Sequence, residues 1–96
     1  MTKEYAEKKI REEYEKIVEY NDQILEHIDE DEYARRSVIS LMKENTKVFY
    51  NSANVVVTIF IDIADPSICH DWRDLFDLVC DLTNKLTNRI MEIQEK

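Results

Sequence analysis

Apolar side chains recur along this chain at alternating steps of four and three, the spacing of one face of an α-helix. From about Thr2 to Ile28 the seam reads Ile10, Tyr14, Ile17, Asn21, Ile24 and Ile28. Glu12, Glu15, Glu19, Asp22, Glu26 and Asp29 repeat with the same spacing on the opposite face. The pattern predicts an amphipathic helix with one dry edge and one acidic edge. Asp29 and Glu32 have the spacing of a capping box, and acidic residues suit the positive end of a helix dipole, so a second helix is expected from about Asp31. Ala34, Val38, Leu41, Met42, Phe49, Ala53, Val56, Ile59, Phe60 and Ile63 carry it on. It stops near Asp65, whose place before Pro66 disfavours helical geometry. A last helix is expected from Ser67 or Asp71 to the C-terminus, with Trp72, Leu75, Phe76, Val79, Leu82, Leu86, Ile90 and Ile93 inward.

The middle segment contains the one ambiguity of period. Asn54 to Ile63, NVVVTIFIDI, is dominated by β-branched residues with high strand propensity. A strand needs a partner, and no other stretch of the chain reads as one, so helix is favoured and a strand would form only across a subunit interface. Asn51, Ser52 and Asn54 together also predict a kink or short break. The expected fold is all-α: an antiparallel bundle of three long helices, four if the middle one breaks near Asn51, in a single domain over residues 1–96.

Composition strengthens this picture. The chain has no glycine and one proline, Pro66, so tight turns, phosphate-cradling loops and nucleophile elbows lack their usual residues. Activity is left to helix faces. A net charge of −8 opposes direct binding to nucleic-acid phosphate, which needs clustered Lys and Arg. Residues 1–33 hold 5 basic and 12 acidic side chains, 34–64 hold 4 and 2, and 65–96 hold 4 and 7. The middle segment is therefore mildly positive between acidic neighbours. The first eleven residues are too polar for a secretory signal and no apolar run approaches a membrane span, so a cytoplasmic location is expected. Cys69 and Cys80, if on one helix, stand about 16 Å apart along its axis, beyond disulfide reach. Free thiols fit a reducing compartment.

Few residues suggest catalysis. His70 beside Cys69 and Asp71, and His27 near Glu30, lack the spacing of a zinc site, and neighbouring residues on a helix diverge by about 100°. The stretch DLFDLVCDLTNKL, residues 74–86, faintly resembles the ExxD helix of all-α nucleotide pyrophosphatases, with Asp74 in the place of the glutamate. The resemblance covers about a dozen residues. It implies a Mg²⁺-dependent nucleotide hydrolase in which Glu12, Glu15, Asp74 and Asp77 hold the cation, because a hard ion needs several converging oxygens. Solvated helix faces account for the same residues. Carboxylates every three or four residues along a helix lie about 5–6 Å apart, near phosphate spacing on a nucleic-acid strand.

The expected function is a non-enzymatic interaction protein, with no cofactor, that binds and inhibits or regulates a macromolecular partner bearing a basic surface. Glu12, Glu15, Glu19, Asp22, Glu26, Asp74, Asp77 and Asp81 are its partner-binding residues. An origin in a virus or mobile element follows only by association with other small acidic helical proteins. Val55 to Ile63 is more apolar than a thin bundle easily covers, and Asn21 sits alone at an inward seam position, where a polar residue can set register. A homodimer is therefore expected, with Asn21, Val57 and Ile61 at its interface. In the alternative of a structural or assembly subunit, the apolar middle segment makes the essential contact.

Overall fold

The computed structural model describes residues 2–26, 32–63 and 72–95. These residues form three α-helices packed against one another, α1 (Lys3–Glu26), α2 (Glu32–Ile63) and α3 (Trp72–Gln94), and no strand occurs among them. The body measures 54 × 19 × 15 Å, close to the length of α2 itself at about 1.5 Å per residue. The capping box at Asp29, the turn around Pro66, and His27, Cys69, His70 and Asp71 lie outside the described residues.

Each helix follows from its residues. Thr2 caps α1: its Oγ1 accepts the backbone N–H of Tyr5 at 3.1 Å, and its carbonyl accepts the N–H of Ala6 at 3.0 Å, satisfying amides that have no partner within the helix. Ala6, Ile10, Ile17 and Asn21 form the buried face of α1. On α2 the buried face is Met42, Thr46, Phe49, Ala53, Val57 and Phe60. Leu75, Val79, Leu82, Leu86 and Ile90 form that of α3.

The β-branched segment is helical, and α2 continues through Asn51 without interruption. Its core stripe provides the reason. Phe49, Ala53, Val57 and Phe60 are all within 4% of complete burial, so a break at Asn51 would pull one half of the stripe off the core. Of the three polar residues that suggested a break, Asn54 instead bonds to its own helix, as do two threonines of α2. Asn54 Nδ2 donates to the Tyr50 carbonyl at 2.9 Å, and Thr58 Oγ1 to the Asn54 carbonyl at 2.9 Å. Thr46 does the same to Met42 at 2.9 Å. This back-bonding to residue i−4 lets Thr and Asn sit within a helix without an unmet polar group.

The core joins all three helices. Tyr14 of α1 meets Phe49 of α2 edge-to-face, with ring centres 6.0 Å apart at 71°. Trp72 and Leu78 of α3, Val18 of α1 and Val56 of α2 pack around the margin. Lys3 Nζ bonds Asp74 Oδ2 at 2.8 Å, placing the first turn of α1 beside the first turn of α3. Arg35, near the start of α2, donates to the Ile93 carbonyl in the last turn of α3. That carbonyl lies at the negative end of the helix dipole, where a cation is favoured.

Candidate functional site

The carboxylates of α1 divide into two groups. In the first half of the helix they are matched by lysines: Glu12 lies 4.0 Å from Lys8 and 3.8 Å from Lys9, and Glu13 lies 3.4 Å from Lys16. Beyond Lys16 the chain has no Lys or Arg until Arg35, while seven Asp and Glu residues fall in between. Glu15, Glu19, Asp22 and Glu26 are exposed, and no ion pair holds any of them among the described residues. With Tyr14, Val18 and Gln23 they line one shallow depression along the outer side of α1. Steps of three and four put neighbouring side chains about 5–6 Å apart on one face. The result is a predominantly negative surface along the second half of α1, bordered by Arg11 beside Glu15 and by Lys85 and Arg89 across a groove from Asp22.

The aspartates of α3 form a weaker counterpart. Asp74 is held by Lys3, whereas Asp77 and Asp81 are exposed. Further along, an open groove of about 510 Å³ separates Tyr14, Val18 and Asp22 of α1 from Lys85, Leu86, Arg89 and Glu92 of α3. Its α3 wall carries both signs, and Arg89 lies 3.8 Å from Glu92. The acidic relief is therefore not one continuous sheet. Of the eight carboxylates singled out in the sequence, Glu12 and Asp74 are in ion pairs, Asp77 and Asp81 stand on α3, and Glu15, Glu19, Asp22 and Glu26 share one surface.

Glu12, Glu15, Asp74 and Asp77 were the residues considered for Mg²⁺. Among the described residues no group of three or more His, Cys, Asp or Glu side chains comes together so as to hold a metal ion. Cys80 is a partly buried free thiol. No helix among the described residues is long and apolar enough to cross a membrane.

The residues expected at a subunit interface have different environments. Val57 is 4% exposed and belongs to the chain's own core, whereas Ile61 is exposed. Asn21 is 3% exposed, and its Oδ1 accepts a hydrogen bond from Asn45 Nδ2 at 3.0 Å. The polar residue in the α1 seam is thus satisfied by α2 within one chain, and among the described residues no buried side-chain nitrogen or oxygen lacks a partner. Asn45 went unnoticed in the sequence because it stands one helical step off the buried stripe of α2. The available signal was its fit opposite a second inward asparagine, which only becomes visible once the two helices are paired.

A second surface runs along α2, extending the apolar excess expected at Val55 to Ile63 back to Val48 and Leu41. Leu41, Val48, Val55 and Ile59 are 47%, 54%, 57% and 42% exposed, on the side of the helix that borders α1. Tyr20 and Ile24 of α1 share a surface hollow with Leu41 and Asn45. No protein-family model, curated protein or solved structure matches this chain.

Proposed function

We propose that this protein is a non-enzymatic interaction module that binds a macromolecular partner through the outer face of α1, with Glu15, Glu19, Asp22 and Glu26 as the contact residues. The observation that carries this reading is that Glu12 and Glu13 are in ion pairs with lysines of α1, whereas among the described residues no ion pair holds Glu15, Glu19, Asp22 or Glu26, although Arg11 shares a depression with Glu15 and Lys85 and Arg89 share a groove with Asp22. Like charges at this spacing cost helix stability. A partner with clustered Lys or Arg relieves that repulsion, and the negative field accelerates its arrival. Occupying a basic surface is how such a module would inhibit or regulate its target.

The bundle supplies rigidity. We infer an antiparallel order of α1, α2 and α3, supported by Tyr14 against Phe49 together with Asn21 against Asn45, and by Arg35 at the end of α3. In that order the acidic face is a preformed stretch of helix that need not fold on binding, so little conformational entropy opposes association.

The test is a comparison of the native chain with the variant E15K/E19K/D22K/E26K. A partner captured by the native protein is measured by calorimetry against both, at low and at high salt. Affinity is expected to fall steeply with salt for the native chain and to be lost in the variant. Equal affinity of both proteins for that partner would reduce the acidic face to a solubility device.

A further inference from the structure

We propose that two copies of this chain associate through the exposed stripe of α2 formed by Leu41, Asn45, Val48, Ser52, Val55 and Ile59. These positions step by four and three over about 27 Å of helix, the repeat that lets one helix seat its side chains between those of another. They form a seam distinct from the buried one. Phe49, Ala53, Val57 and Phe60 face the chain's own core, while Leu41, Val48, Val55 and Ile59 remain 42–57% exposed. Asn45 already donates its Nδ2 to Asn21 Oδ1, so that amide N–H keeps its partner when the stripe is covered. Valine and isoleucine at three of the six positions have few rotamers to lose when they are covered.

Charge identifies the occupant as a second copy. Each chain carries −8, so most surfaces of two copies repel one another. Residues 45–61 contain a single charged side chain, Lys47, and no acid. The α1 residues that share a hollow with Leu41 and Asn45, namely Tyr20, Gln23 and Ile24, are uncharged. A basic partner would be drawn to the carboxylates of α1. The stripe is where two acidic molecules meet with least repulsion. Under a two-fold axis the same stripe would serve both copies, the arrangement of a symmetric dimer.

The ~27 Å stripe lies along one helix with Tyr20 and Ile24 of α1 at its Leu41 end, a small patch that supports a weak association. A dimer with Kd on the order of 10–100 µM is expected.

Sedimentation equilibrium of the full chain tests this, with V48K/V55K and I61K as variants. The native chain and I61K should show the same monomer–dimer equilibrium. V48K/V55K should remain monomeric, its Kd weakened by at least about 100-fold, with a far-UV circular dichroism spectrum and thermal midpoint like the native protein's. The unchanged spectrum distinguishes loss of the seam from loss of the fold. A native chain that stays monomeric at about ten times the expected Kd, a dimer that survives V48K/V55K, or a dimer lost in I61K would each overturn the assignment. None of these readings depends on the acidic face, so that proposal stands or fails separately.

Discussion

The second half of α1 and the middle of α2 share one helical period and differ in what occupies it. On α1, residues 17–26 place Glu19, Asp22 and Glu26 outside and no cation among them. On α2, residues 45–61 place Val48, Val55 and Ile59 outside with no acid among them. Both stretches bury an inner face, Ile17 and Asn21 in one and the larger set Phe49, Ala53, Val57 and Phe60 in the other. Inner faces hold the fold together, so the difference between outer faces is free to specify contacts. It assigns them different partners, a basic surface for α1 and a second acidic copy for α2. Their responses to salt are also opposite, since screening weakens attraction between unlike charges and relieves repulsion between like ones.

The sharpest way to break the comparison is to move a charge from the outside of α2 to its inside. Val57→Lys puts an ammonium into the core and is expected to cost about 4 kcal/mol or more, enough to unfold much of a small domain. Val55→Lys, two residues earlier and 57% exposed, should change stability by no more than about 0.5 kcal/mol. Urea denaturation followed by circular dichroism compares the two. Equal losses would mean that the inner and outer faces of α2 are wrongly divided.

The polar pair between α1 and α2 gives the next largest effect. Asn21→Ala leaves Asn45 without its acceptor, at an expected cost of about 1–2 kcal/mol. Replacing both by leucine removes the unmet amide and should recover most of that loss. A double-mutant cycle on Asn21 and Asn45 should return a coupling of about 1 kcal/mol. No coupling would mean that the hydrogen bond contributes nothing to helix pairing.

The smallest effect belongs to the end of α1. Thr2→Ala removes the acceptor for the Tyr5 amide and is expected to cost about 0.5–1 kcal/mol, measured as a lower urea midpoint. Because Lys3 joins Asp74 in the next residue, fraying there would also loosen the contact between α1 and α3.

Much of the fold was legible in the sequence because buried apolar residues at helical spacing admit few other structures. The seams containing Ile10, Ile17, Phe49, Val79 and Leu86 are the ones that pack. The expected break at Asn51 did not appear because local propensity weighs little against a core stripe that crosses it, and because Asn54 can bond back to Tyr50. Val57, expected at an interface, lies in the core of its own chain for a related reason. Val55, Val56 and Val57 are chemically alike, and only the register set by Phe49 and Phe60 decides which of them faces inward. The acidic rows were legible as rows, but their compensation was not. Whether a lysine reaches Glu12 or leaves Glu19 alone depends on rotamers and on which neighbours share a face. The extension of the stripe back to Val48 and Leu41 was hidden because its residues merge, in sequence, with those of the buried seam beside it.

The separation of the two faces is tested most directly by sedimentation velocity on the native chain as sodium chloride is raised from about 0.05 to about 0.5 M. Association through the uncharged stripe of α2 predicts an average mass that rises with salt from near 11.5 kDa toward twice that value, as repulsion between the acidic bodies is screened. A mass that falls with salt would mean that charged faces hold the copies together and would contradict the separation.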